Sequence, residues 1–235
     1  MAIISPDSGY LTVLNIFRAD APEKQDRLLG AMQEIVNAAA YEGWVSSTVH
    51  SGVDRIGTAN FIQWERQENL EQRYASDEFQ HQIPMFAELT TWIRLLQTEV
   101  AYTQLGSAPG AAVEISPDRD DYTVIEIFRV EQENMDRLVT ALGKERDWLP
   151  DIPGYRSHSV LRGKALRGKW AKQLEGSFVV CYSQWDGKES FDAFLTIPER
   201  EQSAERRRVQ AELDAIVTSL ERNTYRAVHS RSAGA

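Results

Sequence analysis

Hydrophobic and polar residues alternate along short stretches of this chain, and between those stretches apolar residues recur at helical spacing. Residues 10–18 alternate and are rich in β-forming residues, which predicts a strand. Residues 20–23 carry a helix-start signal, with an N-cap candidate, an early proline and an acid. Apolar residues between Leu28 and Ala39 then fall on one helix face, and Gly43 ends that helix.

The rest of the N-terminal half predicts a hairpin, a broken helix and a closing strand. The predicted elements are strand 44–51, turn 52–57, strand 58–65, a helical stretch 69–96 broken near Pro84, and strand 99–105. The order is β-α-β-β-α-β, which is the split βαβ arrangement of ferredoxin-like domains.

Landmarks of the first half return in the second half. The stretch 12–18 returns at 123–129, a displacement of 111 residues, and Gln63-Trp64 returns as Gln184-Trp185, a displacement of 121. Copies of this length are too long for a solenoid repeat, so the pattern indicates a duplicated domain. The predicted domains are residues 1–106 and 120–230, with a linker over 107–119 and a disordered tail over 231–235.

This order predicts the fold class. The helices of a ferredoxin-like unit cover one face of its sheet, and the other apolar face needs a partner in water. Two copies in one chain can supply that partner to each other. We therefore predict an α+β fold in which two ferredoxin-like repeats place their antiparallel sheets face to face, as a pseudo-dimeric barrel.

Composition narrows the function classes. The 235 residues are 42% hydrophobic and 26% charged, as in soluble globular proteins. A net charge of −9 argues against a nucleic-acid partner, and no apolar run is long enough to span a membrane. The single cysteine, Cys181, suits a reducing compartment, and the first residues lack a secretion signal, so we expect a cytoplasmic protein. Arginines 206–208 are interpreted as a solvated helix face, and further homodimerisation is left open.

Two asparagines and a tryptophan are the candidate chemistry. Strand alternation puts Asn15 on one face of the first strand, and it puts Asn60 and Trp64 together on the third. An amide within an apolar strand face costs about 1–3 kcal/mol unless it is hydrogen-bonded. The side chains either line a ligand pocket or bond to each other and to backbone, and both interpretations stay open. Same-face neighbours that would line such a pocket are Val13, Phe17 and Ile62.

The stretch 50–64 resembles the hairpin of the antibiotic biosynthesis monooxygenase family. Asn60 and Trp64 keep that family's Asn-x-x-x-Trp spacing, and Asn15 falls where anthrone-oxidising members carry a first-strand asparagine. The resemblance covers the first copy nearly end to end and the second more loosely. Departures are the turn 54–57, which is not Asp-Gly, and Leu70, which replaces a pocket tyrosine of some quinone-forming members.

The resemblance implies a cofactor-independent monooxygenase that oxidises an aromatic polyketide to a quinone with O₂. No metal and no flavin would be needed, and the sequence contains no dinucleotide or P-loop motif. Asn15 and Asn60 would donate to the substrate carbonyl or enolate, and Trp64 would stack on the rings. His81 is the first candidate for a proton shuttle and His50 the second. Two alternatives to a proton shuttle remain. Each histidine has an ordinary hydrogen-bonded role, or the substrate ionises in solution.

Other interpretations remain beside this one. A haem-degrading oxygenase of the same superfold would carry a haem-ligating histidine, but Tyr74 occupies that position. A non-catalytic small-molecule binding protein is the other alternative. The second copy has Glu126 and Cys181 in place of the asparagines, so we expect it to be structural; the alternative is a second, different site formed by Glu126 with Trp185. Its basic loop, 163–176, is either a solvated loop or a lid over an anion.

Overall fold

The computed structural model of this chain describes residues 2–164 and 177–234. Most of the predicted basic loop, residues 165–176, lies outside the described residues. The strands and helices are, in chain order, β1 Ala2–Ile4, β2 Leu11–Arg18, α1 Pro22–Ala38, β3 Trp44–Gly52, β4 Gly57–Trp64, α2 Gln67–Ala75, α3 Asp77–Leu89, β5 Trp92–Leu105, β6 Ala108–Pro109, β7 Val113–Ile115, β8 Tyr122–Val130, α4 Met135–Leu142, β9 Tyr155–Gly163, β10 Ser177–Trp185, α5 Lys188–Thr196, α6 Ala204–Ile216 and β11 Val217–Ser232.

Eight strands form one closed antiparallel barrel. Their order is β2-β4-β3-β11-β8-β10-β9-β5, and β5 also pairs with β2, which closes the ring. The short strand β6 pairs with the C-terminal end of β5 outside the ring, and β1 pairs with β7 in a separate two-stranded sheet. The predicted α+β fold of two ferredoxin-like repeats with facing sheets is therefore wrong.

The length of two strands explains this correction. β5 has 14 residues, and it pairs with β2 over 92–98 and with β9 over 98–105. β11 has 16 residues, and it pairs with β8 over 217–225 and with β3 over 225–232. Each of these strands is thus shared between the two halves of the chain. Sharing pairs the edges that two separate sheets would leave open, and closure removes edges altogether.

The barrel interior is the main hydrophobic core. Leu14, Phe61, Leu96 and Val180 are fully buried there. The β1–β7 pair adds its apolar residues to the same cluster. Two side-chain hydrogen bonds join the barrel to the β1–β7 pair. Gln63 of β4 donates to the Ile3 carbonyl, and Gln184 of β10 donates to the Glu114 carbonyl, both at 2.9 Å.

The helices lie outside the barrel, against the opposite faces of its strands. Along β2, Leu14 and Ile16 belong to the interior cluster, whereas Phe17 packs in an outer cluster with Leu28 and Met32 of α1. None of the helices within the described ranges is long and apolar enough to cross a membrane.

Several element boundaries differ from those predicted. The helical stretch is interrupted at Ser76, whose hydroxyl accepts a hydrogen bond from the Phe79 amide at 3.3 Å, and Pro84 lies inside α3. β5 begins at Trp92, seven residues before the predicted strand. β6 and β7 occupy part of the predicted linker, and β11 extends to Ser232, which pairs with β3.

Candidate functional site

A cavity of about 160 Å³ lies between the outer face of the N-terminal strands and the helices α1, α2 and α3. Its walls are mostly apolar. The strands contribute Phe17, Ile62 and Leu95, and the helices contribute Ile35 and Phe86, among others. Ligand sites are commonly built in this way, as an apolar concavity with a few polar groups.

Asn15 and Asn60 are the polar groups on its floor. They are direct cross-strand partners on β2 and β4, which puts their Cβ atoms about 4.5–5.5 Å apart. Each side chain is 8% exposed, and both line the cavity. Neither Oδ1 atom has a hydrogen-bond partner among the described residues. The structure therefore brings the two predicted amides together beside a void.

Trp64 lies four residues beyond Asn60, on the same face of β4. Its ring is 3% exposed, and Tyr41 stacks on it with centroids 6.3 Å apart. The indole Nε1 has no partner among the residues described. Of the other predicted pocket residues, Phe17 and Ile62 line the cavity. Val13 is instead packed in the cluster of Leu11, Trp44 and Leu70 beside it.

The structure places neither predicted histidine at this cavity. His81 is exposed on α3, and its Nδ1 is 2.7 Å from the Asp77 carbonyl oxygen. His50 points into the barrel, where its Nε2 is 2.9 Å from the Tyr182 hydroxyl. Burial lowers the pKa of His50 to about 4, so the ring is neutral at pH 7.

Arg73 of α2 lines the cavity, and sequence reasoning missed it. Its side chain is 6% exposed, and its guanidinium lies over the rings of Tyr41 at 4.2 Å and Phe79 at 5.4 Å. It donates to Gln82 at 3.0 Å, and its carboxylate neighbour, Glu78, is 3.6 Å away and half exposed. The signal was available, because an arginine three residues after Leu70 shares the apolar face of that helix.

Two phenols also face the cavity. The Tyr41 hydroxyl donates to Glu78 at 2.6 Å, and burial, together with that carboxylate, raises the pKa of Tyr41 to about 12. Burial raises the pKa of Tyr74 as well. Both hydroxyls therefore keep their protons at pH 7. Tyr41, Arg73 and Glu78 together join the α1–β3 connection to α2 and α3 at the cavity wall.

The corresponding strand positions of the C-terminal half differ. Glu126 on β8 is the cross-strand partner of Cys181 on β10, as Asn15 is of Asn60. The Glu126 carboxylate accepts from Arg222 at 2.6 and 2.8 Å. Burial raises the pKa of the Cys181 thiol to about 12, so it is not a reactive thiolate.

Trp185 is the tryptophan of that half, and its surroundings are filled. Its indole donates to the Ser183 hydroxyl at 3.0 Å. Phe191 and Phe194 of α5 pack on its ring, with centroids 5.4 and 5.0 Å away. Across residues 2–164 and 177–234, no group of three or more His, Cys, Asp or Glu side chains is arranged to hold a metal ion.

The structure is similar to that of an anthrone oxidase-like protein, which is 48% identical with a TM-score of 0.94, covering 100% of this chain and 98% of that one. Two proposed monooxygenases, from Lactobacillus acidophilus and Fusobacterium nucleatum, share the fold at 9% identity, with TM-scores of 0.59 and 0.60. Each comparison covers 96% of this chain, and 97% and 95% of the respective relatives. No family model and no curated protein sequence matches the chain.

Proposed function

Because this chain belongs to the family of the anthrone oxidase-like protein, we propose that it is a monooxygenase that oxidises an anthrone, a naphthol or a related polyphenol to a quinone with O₂. The name of that relative supports an oxygenase-type oxidoreductase. The aromatic polyketide substrate and a route without metal or organic cofactor are our proposal. The N-terminal cavity is the proposed site.

The observation that carries the proposal is a set of unpartnered polar atoms on an apolar cavity. Asn15 and Asn60 each leave a buried amide oxygen without a partner among the described residues, and Trp64 leaves its indole N–H. A buried polar group left unsatisfied costs about 1–3 kcal/mol, so a folded protein rarely keeps three of them together. A bound ligand with its own oxygens and hydroxyl would satisfy them.

The reaction balances without an added reductant. The substrate loses a proton to give a carbanion or phenolate, which passes one electron to O₂ and then combines with the resulting superoxide. The peroxide formed at that carbon loses water. For an anthrone, one CH₂ group and one O₂ give one C=O group and one H₂O. One oxygen atom enters the product and the other leaves as water.

Each polar group then has a role. The unpartnered Oδ1 atoms of Asn15 and Asn60 accept from a substrate hydroxyl, whereas the NH₂ groups of the same amides donate to the substrate oxygen where negative charge develops. The Trp64 indole N–H is available to the peroxide, and its ring stacks on the substrate. Arg73 places a positive charge on the cavity wall, which favours the anionic form of the substrate.

Ionisation of the substrate needs no histidine in this scheme. Neither His50 nor His81 lines the cavity, and the phenols of Tyr41 and Tyr74 are poor bases because they stay protonated. Arg73 and the two amides stabilise the anion, so the pKa of the bound substrate falls and water can take its proton.

The test is incubation of chelator-treated, flavin-free protein with anthrone and with 1-naphthol under ¹⁸O₂. We expect one labelled oxygen atom in the quinone, with no turnover under argon. Naphthol is included because the cavity, at about 160 Å³, is close in size to an engineered cavity of about 150 Å³ that binds benzene.

Three results would count against the proposal. Conversion that depends strictly on added flavin or metal would remove the cofactor-free route. Absence of conversion of both substrates, with retained binding, would instead identify a small-molecule binding protein. A Soret band on haem titration would support the haem-degrading alternative.

A further inference from the structure

A second cavity, of about 510 Å³, lies on the outer face of the C-terminal half. Its walls come from β8 and β11, from α5 and α6, and from the segment that follows α4. The apolar part is formed by Phe128, Phe194, Val209 and Leu213. This cavity belongs to other elements than the proposed oxidation site and shares none of its lining residues.

One carboxylate and one arginine that line this cavity, Glu126 and Arg222, form an ion pair with each other. Glu126 is largely buried, and Arg222 binds its carboxylate at 2.6 Å. Asp214 lies at the exposed rim, where its carboxylate accepts from Gln210 at 2.8 Å. These contacts leave two further arginines to be explained.

Arg146 and Arg206 both line the cavity, and no ion pair involves either one within the described part of the chain. Arg206 lies over the rings of Trp148 at 5.3 Å and Phe194 at 4.5 Å. One of its nitrogens donates to the Phe194 carbonyl at 2.9 Å. Glu145, the acid adjacent to Arg146, is bound to Arg208 instead, at 2.9 Å.

Three buried donors without a hydrogen-bond partner among the described residues belong to residues that line this cavity. They are Arg146 Nε, Arg206 Nη1 and Trp148 Nε1, and none has a hydrogen-bond partner among residues 2–164 and 177–234. Burial, and then the charge of Arg146, lower the pKa of Arg206. Two like charges close together at a partly buried site repel each other, and an anion between them would offset that repulsion.

We propose that this cavity binds an organic anion, namely a carboxylate with an apolar body. The carboxylate accepts from Arg146, Arg206 and the Trp148 indole, and guanidinium groups suit it because they offer parallel N–H donors. The apolar body lies against Phe128 and Leu213. These apolar walls favour such a ligand over a bare inorganic phosphate, which would leave them exposed to water.

The experiment is titration calorimetry with 2-naphthoate. We expect Arg146→Gln and Arg206→Gln each to weaken binding about 10- to 100-fold, as expected when a hydrogen bond to a charged group is lost. The control is Arg200→Gln, which removes the same charge from a side chain that is 85% exposed, and which should bind as the wild type does. Neutral 2-naphthamide should bind at least tenfold more weakly than 2-naphthoate.

Two further measurements keep the result decisive. Asn60→Ala should retain 2-naphthoate binding, because that residue lines the other cavity. The melting temperature of ligand-free Arg206→Gln is the folding control, because this substitution removes the repulsion from Arg146 but also the donation to the Phe194 carbonyl and the contacts with two aromatic rings. The proposal is overturned if 2-naphthoate does not bind, if both arginine variants bind it unchanged, if inorganic phosphate binds as tightly, or if Asn60→Ala abolishes binding.

Discussion

The two helix-covered faces of this barrel use matching positions for opposite purposes. At the displacement of 121 that relates Trp64 to Trp185, Leu70 corresponds to Phe191 and Arg73 to Phe194. In the C-terminal half both phenylalanines pack on the tryptophan, and its N–H is bound by Ser183. In the N-terminal half Leu70 and Arg73 border a void, and the Trp64 indole N–H beside it has no partner among the described residues.

The difference teaches what produces a cavity on this framework. The strand pairing is the same, since Asn15 faces Asn60 as Glu126 faces Cys181. The side chains that lie between sheet and helix differ. Where aromatic rings pack on the tryptophan, its indole N–H is bound by Ser183, and where those rings are missing, the indole N–H of Trp64 is left for a ligand.

The largest expected effect comes from removing the filling ring. Phe191→Ala should lower the free energy of unfolding by about 3–5 kcal/mol, because Phe191 is 3% exposed and its loss leaves a hole over Trp185. Ile83→Ala, which enlarges a void that already exists in the N-terminal half, should lower it by less, roughly 1 kcal/mol. Urea unfolding measures both. Equal losses would contradict the contrast between a filled face and an open one.

The amides should matter for turnover and not for stability. We expect Asn60→Ala to lower kcat about 100- to 1,000-fold, the effect of removing one donor to a developing oxyanion. Cys181→Ala makes the matching change at the cross-strand position of the other half and should leave kcat unchanged. Steady-state oxidation of 1-naphthol gives the comparison. A similar fall in both variants would indicate a general structural effect.

Each half contains a buried histidine whose lowered pKa should make the protein less stable in acid, His50 in the N-terminal half and His158 in the C-terminal half. Burial, followed by the charge of Arg146, lowers the pKa of His158 to about 3, from 6.5 in an unfolded chain. As the pH is lowered, the unfolded chain binds the extra proton before the folded chain does. The contribution of neutral His158 to the free energy of unfolding is therefore full above pH 6.5 and is lost as the pH falls towards 3.

His158→Ser tests this contribution, and it introduces the residue found 111 positions earlier, Ser47. Between pH 7 and pH 5 the variant should lose about 2 kcal/mol less than the wild type. Denaturant titrations at both pH values measure this. Equal losses would show that His158 is not the group responsible.

The smallest expected effect belongs to Arg73. Arg73→Met should lower kcat/KM about tenfold at pH 7 and move the rising limb of the pH profile about one unit upward, because the substrate anion loses a nearby positive charge. Arg73→Lys should restore most of the profile. Arg27→Met, at an exposed site on α1, is the control and should leave it unchanged. An unshifted profile in Arg73→Met would exclude the electrostatic role.

Local sequence patterns were sufficient for the hairpin and for the meeting of the amides. Period-two alternation on β2 and β4 put Asn15, Asn60 and Trp64 on one face, and the structure has them there. The same alternation also separates His50 from them, since Val49 is the partner of Asn60 and His50 falls on the interior face. Strand alternation alone therefore excluded His50 from the face that carries Asn60, although the sequence prediction had kept it as a candidate.

What local patterns do not contain is long-range pairing. Residues 92–98 have apolar spacing that fits either a helix or a strand, and only pairing with β2 decides for a strand. Likewise residues 217–222 pair with residues of β8 that lie 87 to 96 positions earlier in the sequence, and no local pattern specifies that contact. Arg73 was missed for a related reason, since an arginine on a short helix is ordinarily assigned to solvent.

The shared strands β5 and β11 have a consequence for how this protein can be divided. A fragment that ends at residue 106 would keep β5 without β9 and β3 without β11. It would therefore expose two strand edges whose backbone N–H and C=O groups have lost their partners. Such edges can pair with the missing C-terminal fragment or with a second copy of the same fragment. The chain is therefore a candidate for split-protein reconstitution, in which two separately expressed portions regain their native state only when they meet.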